Sequence, residues 1–125
     1  MEINLADHHK NLEIAKIKFN QGKYSEANKI YEKLIKSNYH SLDLIYSYGL
    51  FSKRIRNYNL AKKLFSFSLK KFPTFINSYI LFAEIFREEN NFSESEKILF
   101  QAKNIAPNNG DIFYNFALLY KYQLK

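Results

Sequence analysis

An all-α solenoid of stacked, antiparallel helix pairs is the fold this sequence predicts, and three observations carry the prediction. First, small residues recur every 34 positions, at Ala15, Gly49, Ala83 and Ala117. The same step links Tyr24, Tyr58 and Phe92, then Ala27, Ala61 and Ser95, then Tyr31, Phe65 and Leu99, then Pro73 and Pro107. Second, each period holds two apolar stripes at helical spacing with a turn signal between them, the pattern of a helical-hairpin repeat. Third, 46% hydrophobic and 18% aromatic residues can fill a continuous core, while 3 Gly and 2 Pro leave little material for a loop-rich fold.

The elements follow in order. Residues 1–7 read as an N-terminal extension, and a single domain spans 8–125. In the first unit, 8–41, Ile14, Ala15 and Phe19 form one stripe. Gly22 turns the chain, and Ala27, Ile30, Tyr31, Leu34 and Ile35 form the second stripe. In the second unit, 42–75, Ile45, Tyr48, Gly49 and Ser52 keep the i, i+3, i+4, i+7 spacing of one helix face. Arg56-Asn57 then breaks the pattern, with the asparagine suited to a left-handed turn. Ala61, Leu64, Phe65, Ser68 and Leu69 follow, and Pro73 stops the helix. The third unit, 76–109, repeats the plan with Tyr79, Phe82, Ala83 and Phe86, a turn at Asn90-Asn91, then Ser95, Ile98, Leu99 and Ala102 before Pro107. Residues 110–125 supply one more first helix through Phe113, Phe116, Ala117 and Tyr120, which makes seven helices in all. The small residues imply close approach, Gly49 against Ala61 and Ala83 against Ser95.

Composition narrows the class. A chain of 125 residues allows one domain. Zero Cys excludes a disulfide framework and thiolate metal sites. No apolar run exceeds the length of Phe116 to Tyr120, far shorter than the roughly 20 residues that span a bilayer. The start of the chain has neither the basic segment nor the apolar stretch of a signal peptide, so the expected location is the cytoplasm. Abundant Lys, Asn, Ile, Phe and Tyr with few Arg match the bias of an AT-rich genome.

The spaced residues resemble the tetratricopeptide repeat, whose signature is W-x2-L-G-x2-Y, then A-x3-F, then P. The third unit reads Tyr79-x2-Phe82-Ala83-x2-Phe86, then Ser95-x3-Leu99, then Pro107. The second reads Ile45-x2-Tyr48-Gly49-x2-Ser52, then Ala61-x3-Phe65, then Pro73. The resemblance covers residues 8–125 as about three and a half repeats, and it implies a right-handed superhelix. Asn11 and Lys18 stand where later units are apolar, as the polar outer face of a terminal repeat requires. At the other end the face around Ala117 is left uncovered. A cap, a fragment of a longer chain, or docking on a second copy through the last helix would each account for it.

The resemblance also implies a function. In the family, first helices line a concave groove that holds a peptide or helix of a partner protein, in a scaffold or co-chaperone role, without catalysis or cofactors. The groove positions carried over are Leu12, Lys16 and Phe19, then Tyr46, Leu50, Lys53 and Arg54. They continue with Ile80, Leu81, Glu84 and Arg87, and end with Tyr114, Asn115, Leu118 and Tyr122. One subfamily grips heat-shock chaperone tails with a Lys/Asn/Arg clamp. Its positions here hold Leu12, Lys16, Ser47, Asn77 and Leu81, of which only Lys16 is basic, and this argues against a chaperone-tail receptor.

Charge offers a second candidate surface. The net charge is +7, and the second unit sets Lys53, Arg54, Arg56, Lys62, Lys63, Lys70 and Lys71 against Asp43 alone. Lys62, Lys63, Lys70 and Lys71 share the second helix and could meet RNA phosphates, an anionic membrane or an acidic protein. Groove positions show no regular polar pair per repeat for reading bases. Catalytic patterns are missing too. His8 and His9 point about 100° apart on a helix, so they cannot share a metal, and neither a Gly-rich phosphate loop nor HExxH occurs.

Overall fold

The computed structural model describes residues 4–125. Its helices are α1 (Leu5–Asn20), α2 (Tyr24–Ile35), α3 (Leu42–Arg54), α4 (Tyr58–Lys71), α5 (Ile76–Glu88), α6 (Phe92–Ile105) and α7 (Gly110–Gln123). The expected all-α order therefore holds, with one shift at the start. Asn4 caps α1 by accepting a hydrogen bond from the Asp7 N–H at 3.2 Å, so residues 5–7, read above as extension, belong to the first helix. Residues 1–3 of that extension lie outside the described residues. Ser41, Asn57, Asn91 and Asn109 cap α3, α4, α6 and α7 in the same way, each cap being worth about 1 kcal/mol.

The turn inside each pair uses one left-handed residue at the repeat step: Gly22 (φ 75°), Arg56 (φ 62°) and Asn90 (φ 62°). This corrects the expectation for Arg56-Asn57. The arginine takes the left-handed geometry, because Asn57 is committed to accepting from the Leu60 N–H. A side chain with a Cβ is strained there by about 1–2 kcal/mol. Arg56→Gly should therefore stabilise the fold by about 0.5–1 kcal/mol after the larger unfolded-state entropy of glycine is allowed for. Urea unfolding would read this as a higher midpoint, and an unchanged or lower midpoint would refute it.

Helices pair in sequence, α1 with α2, α3 with α4 and α5 with α6. The first helices α1, α3, α5 and α7 also touch one another in series, whereas α2, α4 and α6 make no such mutual contacts. A stack drawn together on one side and splayed on the other must curve, so the first helices line the concave side. The core runs between these layers in two clusters. One centres on Leu12, Tyr31, Leu44, Ile45 and Phe51, and the other on Phe65, Ile85, Leu99, Ile112 and Leu119.

Close approach is real, with one partner reassigned. Ser95 Oγ donates to the Ala83 carbonyl at 2.7 Å, as the spacing implied for the third unit. In the second unit Gly49 faces the ring of Phe65 instead of Ala61 alone: a Cβ at Gly49 would lie 2.7 Å from Cε1 and 2.8 Å from Cζ. Polar groups between the helices are mostly satisfied. Ser52 Oγ donates to the Tyr48 carbonyl, and Ser68 and Ser78 share a 2.7 Å hydrogen bond. Tyr31, stacked on Tyr48 at 5.0 Å, has a buried hydroxyl with no partner, and burial raises its pKa.

Beyond α7 the solenoid stays uncovered, as the sequence suggested. Ala117 is exposed, and so are Phe113 and Tyr120 on the same helix and Leu124 just after it. Among the described residues no helix is long and apolar enough to cross a membrane.

Candidate functional site

The concave face is built from register. Positions spaced by three and four on α3, α5 and α7 point the same way, and contact between these helices lines up residues that are 34 apart in sequence. Tyr46, Leu50, Ile80, Leu81 and Leu118 come out half-buried, and Tyr114 is 63% exposed. Tyr46 is held edge-on by Phe75 at 5.0 Å and tilted over Phe65 at 6.4 Å, and its burial raises its pKa. Asn115 is half-buried, and its Nδ2 donates to the Asp111 carbonyl at 2.8 Å.

Leu12 is a correction. It is 1% exposed inside the first core cluster and offers no groove surface. α1 packs against both α2 and α3, and this contact draws Leu12 into the core.

Charged groove residues are brought together into ion pairs between repeats. Lys16 lies 2.7 Å from Asp43 and 3.2 Å from Glu13. Lys53 lies 2.8 Å from Glu84 and 3.4 Å from Glu88, and Tyr58 donates to Glu88 at 2.7 Å. Burial alone would lower the Lys53 pKa, but hydrogen bonding to Glu84 and the charges of both glutamates hold it above the usual lysine value. The two arginines are used differently. Arg54 lies over Phe19 at 5.6 Å, with Phe19 itself edge-on to Phe51, and Arg87 lies over Tyr122 at 5.1 Å. Asp43, Glu88 and Tyr58 are members of this site that the sequence reading missed. A search for opposite charges about one repeat apart would have found Lys53 with Glu84 and Glu88.

The chaperone-tail clamp positions supply no free cation. Leu12 is core, Lys16 is paired, and Ser47 Oγ donates to the Asp43 carbonyl. The four-lysine patch is likewise divided. Lys62 pairs with Glu89 at 2.8 Å and lies over Phe86, and Lys71 donates to the His40 carbonyl at 3.0 Å. Lys63 and Lys70 remain exposed on α4.

No family model matches the sequence, and no curated protein matches it either. Solved structures do. The type III secretion chaperone SycD of Yersinia enterocolitica, in complex with a peptide of the translocator YopD, aligns with TM-score 0.85 and 19% identity over 99% of this chain and 98% of that one. The first tetratricopeptide domain of Spaghetti (RPAP3), bound to the HSP90 peptide SRMEEVD, aligns with TM-score 0.85 and 15% identity over 100% of this chain and 99% of that one. PcrH from Pseudomonas aeruginosa aligns with TM-score 0.82 and 13% identity over 98% and 96%. At such identities the likeness is one of fold. Seven helices in a 34-residue register, superposing over nearly their full length on these proteins, give this chain the tetratricopeptide-repeat fold.

Proposed function

We propose that this chain is a non-enzymatic protein-interaction module that holds a peptide or amphipathic helix of a partner protein on the concave face of α1, α3, α5 and α7. The observation that carries the reading is the pairing of the groove charges. With Lys16, Lys53 and Glu84 neutralised across repeats, what faces outward is an apolar strip of Leu50, Ile80, Tyr114 and Leu118. Apolar strips of this kind mark partner sites. Rigid helices hold these side chains ready, so little ordering entropy is lost on binding. The two structural relatives solved with peptides support the same reading, although each peptide belongs to its own protein.

A phage-displayed library of random peptides about 12 residues long, enough to cross two repeats when extended, would test it. Wild type should enrich peptides with large apolar anchors, and Tyr114→Ala with Leu118→Ser should lose about tenfold or more in affinity for them. Tyr114 is chosen because its exposure leaves folding intact, which circular dichroism would verify. Enrichment of no peptide, or equal binding by the double variant, would sink the groove reading.

A further inference from the structure

The repeat step carries one more ladder, on the opposite side of the solenoid. Lys29, Lys63 and Lys97 are 34 residues apart on α2, α4 and α6, and all three are exposed. A second row begins seven residues later with Lys36 and Lys70, also exposed. Seven residues make about two helical turns, so on α4 Lys63 and Lys70 share one face about 10 Å apart, while Lys36 stands at the C-terminal cap of α2. Among the described residues, none of these five lysines has an acidic group within ion-pair distance, whereas Lys16, Lys18, Lys53 and Lys62 do. The outer helices thus carry unpaired lysines at the same place in successive repeats, with the positive excess on α4, because Glu26 and Glu32 on α2 and Glu94 and Glu96 on α6 offset the lysines of those helices.

Two further features show what such a grid fits. Phe67 on α4 and Phe100 on α6 are 37% and 46% exposed among the lysines, with Lys71 and Lys103 reaching over their rings at 5.7 and 6.0 Å. Exposed aromatics set among lysines are the composition of a surface that lies on a bilayer, the rings entering the interface and the ammonium groups meeting the headgroups. Arginine is absent from the grid. Recognition of individual phosphates favours the bidentate guanidinium fork, while attraction to the diffuse potential of an anionic leaflet needs only point charge. A convex face also touches a broad surface more readily than it encloses a strand. We infer that the outer face of α2, α4 and α6 docks on anionic lipid bilayers through Lys29, Lys63 and Lys97, with Phe67 and Phe100 entering the interface, and leaves the concave face free.

Vesicle co-sedimentation tests this on the full chain. One set of vesicles is phosphatidylcholine alone, and the other is equal parts phosphatidylcholine and phosphatidylserine. Wild type should sediment with the anionic vesicles only, and less so as salt rises. Each lysine near such a surface is worth about fivefold in binding, so Lys29→Gln, Lys63→Gln and Lys97→Gln together should weaken it on the order of a hundredfold. A control triple, Lys10→Gln, Lys23→Gln and Lys121→Gln, removes the same charge away from the grid and should change binding far less. Failure to bind anionic vesicles would overturn the proposal. An equal loss in the control would do so as well, since net charge alone would then be responsible. Tighter binding to a poly-thymidine oligonucleotide than to the vesicles, lost in the same grid triple, would reassign the face to nucleic acid. Because peptide selection reads the opposite face, the groove proposal stands or falls separately.

Discussion

Phe65→Ala is expected to remove about 3–5 kcal/mol of stability, a large share of what a domain of this size possesses. The ring is fully buried, belongs to the cluster that joins α4 to α5, and fills the space that Gly49 leaves open. Truncating it leaves a cavity whose walls, made of rigid helices, collapse only in part. The pairing can be probed from the other side. Gly49→Ala adds a methyl within 2.7 Å of the ring, an overpacking cost of about 1–3 kcal/mol offset by about 1 kcal/mol of helix propensity. One repeat further on, the same two positions hold Ala83 and Leu99, both buried. Combining Gly49→Ala with Phe65→Leu copies that solution and should cost less than the two single changes added together, with a coupling of about 0.5–3 kcal/mol. Denaturant unfolding of the four proteins closes the cycle; strict additivity would show that glycine and ring are not matched to each other.

Lys53→Met should cost about 1–3 kcal/mol near neutral pH, since it leaves the half-buried Glu84 and the exposed Glu88 facing each other without their cation. Its pH dependence is the diagnostic. In the wild type the Lys53 pKa is raised in the folded state. Its contribution is therefore complete below the unfolded lysine pKa of about 10.4 and is lost as pH rises through the higher folded value. Thermal melts of both proteins from neutral to alkaline pH would show the curves converging at the alkaline end. A deficit independent of pH would mean that Lys53 acts through the packing of its aliphatic stem alone.

The alkaline limb has further contributors. Burial raises the pKa of Tyr31, Tyr46, Tyr48 and Tyr79. Each favours the fold while its phenol is protonated, and that preference is lost as pH rises through the raised folded value. The alkaline loss should therefore be steeper than Lys53 alone produces.

The sequence by itself determined the helix count and the repeat length, because these follow from periodicity, while the assignment of inner and outer helices came from the resemblance to the tetratricopeptide repeat. A residue at a fixed step has a fixed direction on a helix, and helices of one register stack in one way. Ala83 with Ser95, and the uncovered face at Ala117, were legible for that reason. What each side chain meets across the stack was decided by tertiary structure. Gly49 and Phe65 looked like separate motif positions until the helices closed on each other. Leu12 looked like a groove residue until α1 settled into the core. Lys53 and Glu84 looked like two free charges, and Lys62 and Lys71 like half of a basic patch, yet each found a partner on a neighbouring element. The step of 34 residues says which residues share a position in successive repeats, whereas charge pairing and burial depend on distances of a few ångströms between different positions. Those distances exist only once the repeats have stacked.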